Sequence, residues 1–196
     1  MNFLKILLIF FFVTFFLTNC AKKEKISVIQ EEDLELQMIQ AFEDGYKEFK
    51  NGDALFAAKK FNEAELLFPQ SSWAPKAALM AAYVYYAQDY YFDAEYELNR
   101  FIKTYPKNEN LSYAHFLLGM CYYEKIVDEK KDLAPLIKAQ EKFNFIIKSY
   151  PNSDYALDAK YKIDLIKEYL ASKEMYIASY YMKKKNGLHQ LIDIKQ

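Results

Sequence analysis

The sequence predicts an all-α chain, a tetratricopeptide-like helix-pair solenoid of about three and a half repeats behind a short apolar leader. Three observations predict it. Small and large residues recur at a fixed offset of 37 positions. Helix breakers are scarce, with 4 Gly and 5 Pro, while 18 Tyr and 16 Phe supply packing volume. Finally, the alternating apolar–polar runs and hairpin turns that a sheet requires are missing.

The leader comes first. Lys5 makes a weakly positive start, and Ile6 to Leu17 is apolar except for Thr14. That core falls short of the roughly 20 apolar residues of a membrane span and has the length of a signal-peptide core. It ends Leu17-Thr18-Asn19-Cys20, with Leu three positions before Cys as in a lipobox and Asn19 where a small residue is usual. Residues 1–19 therefore read as a lipoprotein signal peptide, with Cys20 as the lipidation site. The alternative is an uncleaved anchor with an incidental Cys. Residues 20–33 are polar and charged and read as a flexible tether. From Cys20 onward 25 Lys and Arg face 27 Asp and Glu, a balance without the basic stripe that nucleic acid demands.

From Leu34 the pattern is helical. Gly45, Ala82 and Gly119 are small residues 37 apart, and Phe49, Tyr86 and Tyr123 keep the same spacing. So do Tyr46 and Tyr83. The second half of the unit repeats as Ala57 and Ala94, Phe61 and Leu98, Phe68 and Tyr105, Pro69 and Pro106. A third unit ends with Ala139, Phe143, Tyr150 and Pro151 after 8 extra residues within Val127 to Pro135. Small residues let the first (A) and second (B) helix of a unit approach, aromatics fill the space between units, and Pro stops helix B because it lacks an amide donor. One pair cannot bury its own apolar face, so units must stack. The expected helices are 34–51, 54–68, 72–88, 90–105, 110–126, 133–149 and 153–184. The last either runs unbroken or breaks near Ala171-Ser172. Ala178 to Tyr181 resembles Ala82 to Tyr85 and opens a fourth unit, so 34–185 forms one repeat domain.

Residues able to do chemistry are few. Only His115 and His189 are histidines, and His115 is expected to be a hydrogen-bonded packing residue. No Cys/His spacing suits zinc, and no Gly-rich phosphate loop exists. Glu63 and Glu65 fall on different faces of one helix. Cys121 reads as a buried thiol. Glu31-Glu32-Asp33 reads as a helix N-terminal cap region and Lys183-Lys184-Lys185 as a helix end, each matched to the helix dipole. No enzyme, metal or cofactor is expected. Stacked pairs form a concave surface lined by A helices, where repeat proteins bind extended ligands. The substrate-groove candidates are Trp73, Tyr83, Tyr86, Tyr90 and Tyr123, with Tyr91 and Tyr122 beside them. Inter-helix core is the competing role for each.

Several segments resemble a known family in order. They are Gly52 to Phe68 (GDALFAAKKFNEAELLF), Ser71 to Tyr86 (SSWAPKAALMAAYVYY), Leu98 to Pro106 (LNRFIKTYP), Ser112 to Ile126 (SYAHFLLGMCYYEKI) and Pro151 to Leu170 (PNSDYALDAKYKIDLIKEYL). With the unit-three insertion and Tyr180-Tyr181, they resemble the BamD (ComL/YfiO) lipoproteins of the outer-membrane β-barrel assembly machinery across about residues 35–185. The resemblance implies a non-enzymatic scaffold, lipid-anchored on the periplasmic face of the cell outer membrane. Its implied partners are the periplasmic domains of a BamA-type β-barrel insertase, other assembly-machinery lipoproteins and unfolded outer-membrane proteins. By analogy the N-terminal units receive substrate segments and the C-terminal units hold the insertase. Ala21 fits outer-membrane sorting. Family members carry five units, whereas this chain stops in the fourth. Residues 186–196 (NGLHQLIDIKQ) depart from the family's next helix and read as a divergent tail. Reading from the third base of the Asn186 codon can spell Trp-x-x-Ser-Ile-Asn-Arg-Tyr-Lys, close to that helix, so a frameshift is one expectation and a naturally short C-terminus the other. The alternative function is another lipid-anchored tetratricopeptide scaffold, pilotin-like or cell-wall coordinating.

Overall fold

The structure is a computed structural model that describes residues 28–125 and 133–193, with side chains over 33–125 and 133–184. Cys20, the leader, most of the tether and most of the unit-three insertion lie outside the described residues. Seven helices and no strand occur among the described residues: α1 (Val28–Lys50), α2 (Ala54–Leu67), α3 (Ala74–Ala87), α4 (Tyr91–Thr104), α5 (Leu111–Glu124), α6 (Ala134–Ser149) and α7 (Asp154–Asp193). The A helices are α1, α3, α5 and α7, and the B helices are α2, α4 and α6.

Local chemistry explains the ends. Gly52 closes α1 with φ +85°. Its N–H donates to the Phe49 carbonyl at 3.0 Å and the Asp53 N–H to that of Glu48 at 3.1 Å, the paired bonds of a Schellman cap. Asp53 then caps α2 by accepting from the Phe56 N–H at 2.9 Å. One repeat later Asp89 takes the place of Gly52, with φ 63° and the same pair of bonds to Tyr86 and Tyr85. Proline stands in the first turn of α3 and α6, where its missing N–H costs nothing. Pro69, Pro106 and Pro151 follow the last residues of α2, α4 and α6.

Two ends differ from expectation. The helix α1 starts at Val28, so Glu31-Glu32-Asp33 lie inside it rather than capping it. No breaker precedes them to stop the helix sooner. Likewise Lys183-Lys184-Lys185 do not end α7, which runs without a break at Ala171-Ser172 through 40 residues to Asp193. Its length is roughly 60 Å. A single helical glycine, Gly187, costs only about 1 kcal/mol and does not end it.

The core is built from alanine rows and rings. Ala57, Ala78, Ala82, Ala94, Ala114, Ala139 and Ala159 are buried, as are Phe61, Leu98, Phe101, Phe143 and Ile146. The repeat positions face one another. A Cβ on Gly45 would stand 3.1 Å from Phe61, and one on Gly119 would stand 2.7 Å from Phe143. Cys121 is buried, and that burial pushes its thiol pKa up to about 12. His115 packs between Phe145, with ring centroids 4.6 Å apart, and Tyr150 at 6.1 Å. Its Nδ1 is buried with no partner among the described residues. Burial, with the nearby Lys142 charge second, lowers its pKa to about 4. The core ends along α7 near Ile166, and Met175, Tyr176, Tyr180, Tyr181 and Met182 beyond it are exposed. Among the described residues no helix is long and apolar enough to cross a membrane.

Candidate functional site

The A helices carry a ladder of rings at the repeat spacing. Phe49 on α1 meets Tyr83 on α3 edge-on, with centroids 5.9 Å apart. Tyr86 lies one turn beyond Tyr83 on the same face and packs against Tyr91 at 5.8 Å. Tyr123 on α5 lies under Lys162 of α7, whose Nζ is 4.6 Å from the ring centre. Tyr83, Tyr86 and Tyr123 are half-buried against the main core cluster. They are held from behind while part of each ring meets solvent.

The phenols of Tyr86, Tyr91 and Tyr123 stay protonated. Burial, then the Glu124 charge, pushes the Tyr86 pKa up to about 12. Burial also raises Tyr123. The Tyr91 hydroxyl donates to Asp89 at 2.6 Å, and that bond raises its pKa further. Half-buried rings with neutral hydroxyls suit an extended peptide, whose side chains pack on the rings and whose backbone meets the hydroxyls.

The remaining candidates lie elsewhere. Trp73 precedes α3 and stacks edge-on with Phe42 of α1 at 5.4 Å, under Lys76 at 4.9 Å. Tyr90 sits in the α3–α4 turn beside Tyr85, with centroids 6.3 Å apart. Tyr122 turns the other way from Tyr123, and its hydroxyl donates to Glu95 of α4 at 2.6 Å. The structure therefore brings Tyr83, Tyr86 and Tyr123 onto the A-helix ladder and leaves Trp73, Tyr90 and Tyr122 outside it.

Sequence reasoning missed two features. The first is a buried polar network between α2 and α4. Arg100 pairs with Glu65 and with Glu97 at 2.7 Å each and donates to Asn62 at 3.0 Å. Tyr105 also donates to Glu65, at 2.7 Å. Glu65 is only 5% exposed and Glu97 7%. The available signal was a carboxylate on each helix's buried stripe, Glu65 four residues after Phe61 and Glu97 three residues after Ala94. The second is a cleft lined by Phe92, Glu95, Tyr96, Tyr122, Lys125 and Lys138, among others. Its signal was Phe92 and Tyr96, aromatics four apart that the repeat does not require. Among the described residues no cluster of His, Cys, Asp or Glu could hold a metal ion.

The YfiO family model, described as an outer membrane lipoprotein, matches residues 34–190. The chain belongs to the YfiO family. The outer membrane protein assembly factor BamD of Caulobacter vibrioides is 34% identical over 165 residues, which are 84% of this chain and 53% of that protein. The factor of the same name from Rickettsia prowazekii is 36% identical over 132 residues, 67% of this chain and 53% of that protein. This YfiO chain thus spans about half the length of the curated relatives it matches. Among solved structures, the first TPR domain of human RPAP3 superposes with a TM-score of 0.51 at 21% identity, over 71% of this chain and 97% of that one. The first TPR of Spaghetti (RPAP3) bound to an HSP90 peptide gives 0.50 at 19%, over 70% and 95%. These likenesses show the fold alone, and the expected tetratricopeptide architecture is the observed one.

Proposed function

We propose that this chain is a non-enzymatic scaffold of the outer-membrane β-barrel assembly machinery, anchored by lipid on Cys20 at the periplasmic face of the outer membrane. The observation that carries the reading is membership of a family of outer-membrane lipoproteins whose named relatives are assembly factors. The A-helix ladder supports the way it would work. Phe49, Tyr86 and Tyr123 offer rings at the repeat spacing, with Tyr83 one turn before Tyr86, so an unfolded outer-membrane protein segment could dock aromatic side chains along them in extended form. Docking on a BamA-type insertase and on other assembly-machinery lipoproteins belongs to the same proposal.

The groove is tested with photocrosslinkers at Tyr83, Tyr86, Lys160 and Lys167, using a peptide from the C-terminus of a barrel protein that ends in an aromatic residue. Capture from Tyr83 and Tyr86 is expected. Capture from Lys160 or Lys167 alone would show that the groove is misplaced. For the anchor, labelled palmitate should enter the parent chain and not Cys20→Ser. One acyl chain binds a membrane only marginally and several bind stably, so the unlabelled variant should also leave the membrane fraction. Equal labelling of both would remove the anchor.

A further inference from the structure

The cleft between α4 and α6 lies apart from the A-helix ladder and has its own chemistry. It encloses about 680 Å³. Phe92 and Tyr96 stand one turn apart on α4, 78% and 69% exposed, and neither belongs to a core cluster. Across from them are Lys125 at the end of α5 and Lys138 on α6.

The charges settle the sign of the ligand. Among the described residues Glu95 is the one carboxylate lining the cleft. It accepts from the Tyr122 hydroxyl and is ion-paired with Lys125, so its charge is already met. Lys138 forms no ion pair among the described residues, so the described lining, with two lysines and one carboxylate, is net positive. One face each of Phe92 and Tyr122, which would attract a cationic ligand, is met by the chain's own ammonium groups. Lys125 Nζ lies 3.9 Å from the centre of Phe92, and both lysines lie 5.4 Å from that of Tyr122. A cation meets repulsion here, whereas an anion with an apolar neighbour meets both an ammonium and bare ring.

We propose that this cleft docks an extended peptide segment of a partner protein in which a carboxylate side chain adjoins an aromatic or large aliphatic one. The carboxylate engages Lys138, and the apolar neighbour covers Phe92 and Tyr96. A concave site with aromatic anchors is the geometry in which a few side chains carry binding. An anionic lipid surface is the poorer fit, because each lysine adds only about 1 kcal/mol there and recruitment needs several. Nothing in this assignment depends on the A-helix groove.

The test uses the full chain in detergent micelles and hexapeptides with amidated C-termini and an uncharged dye. Gly-Phe-Glu-Phe-Asp-Gly is compared with its isostere Gly-Phe-Gln-Phe-Asn-Gly by fluorescence anisotropy. The acidic peptide should bind about tenfold more tightly, through the paired charge. Lys138→Gln should abolish that preference, and Phe92→Ala with Tyr96→Ala should weaken both peptides. Lys148→Gln, at the far end of α6, should change neither. Coincident thermal melts would show that these exposed positions leave the fold intact. Equal affinity for the two peptides would overturn the proposal, as would equal losses from Lys138→Gln and Lys148→Gln. Displacement by phosphatidylglycerol vesicles or millimolar phosphate with no dependence on Phe92 and Tyr96 would also overturn it, revealing a bare anion site.

Discussion

Gly119 offers a quantitative test of the repeat. A Cβ there would stand 2.7, 3.0 and 3.2 Å from three carbons of the Phe143 ring. Carbon atoms rest at about 3.5–4.0 Å, so the ring would have to retreat by roughly 1 Å. It has little room, being fully buried and packed on Phe116 with centroids 5.7 Å apart. Overpacking of this kind costs about 1–3 kcal/mol, and the better helix propensity of Ala returns up to about 1 kcal/mol. Gly119→Ala should therefore lose about 1–2 kcal/mol, and Gly119→Leu distinctly more. The repeat itself suggests the rescue. Phe61 follows Gly45 by 16 residues, and Leu98 follows Ala82 by 16, so unit two pairs Ala with Leu where unit one pairs Gly with Phe. In unit three the spacing from Gly119 to Phe143 is 24, the insertion intervening. Phe143→Leu alone should cost about 1–2 kcal/mol through lost volume. Gly119→Ala combined with Phe143→Leu should be no less stable than Phe143→Leu, a coupling of about 1–2 kcal/mol. Thermal and urea melts followed by circular dichroism read this out, at about 2–4 °C per kcal/mol for a domain of this size. Purely additive losses in the double variant would refute the complementarity.

Three further outcomes follow from buried groups. Arg100→Met should destabilise the chain by about 2–4 kcal/mol, because Glu65 and Glu97 would be left buried without a cation, whereas Lys167→Ala, which removes an exposed pair with Asp164, should cost at most about 0.5 kcal/mol; urea melts of the two compare them. His115 has a folded-state pKa of about 4, below its ordinary value of 6.5, so its contribution to stability is complete above pH 6.5 and declines as pH falls through 4. His115→Phe should flatten the melting temperature across that window, and an unchanged slope would exclude His115 as its source. Cys121, buried and with its thiol pKa raised to about 12, should resist maleimide in the native chain and react on unfolding; prompt native labelling would place it nearer solvent than described.

The sequence by itself determined the helix pairs, because each rests on short-range rules repeated three times. Gly45, Ala82 and Gly119 mark close approach, and Pro69, Pro106 and Pro151 end the B helices. Caps such as Asp53 need only the next few residues. Family membership was legible for the same reason, since the ordered segments carry these rules. Where a local stop signal was weak, as at Val28 and after Lys185, the helix ends were misjudged. Other facts required the packed chain. Tyr122 and Tyr123 are neighbours in sequence, yet a helix turns about 100° per residue, so one faces Glu95 of α4 and the other Lys162 of α7. Glu65 and Arg100 are ordinary charges on two helices until those helices stack and bury them together. Lys138 and Phe92 share a cleft only because α4 and α6 both stack on α5, whose Tyr122 lies between them. Helical periodicity assigns a residue to a face, but which face meets which neighbour depends on how successive pairs stack, a geometry made by contacts between residues far apart in the chain.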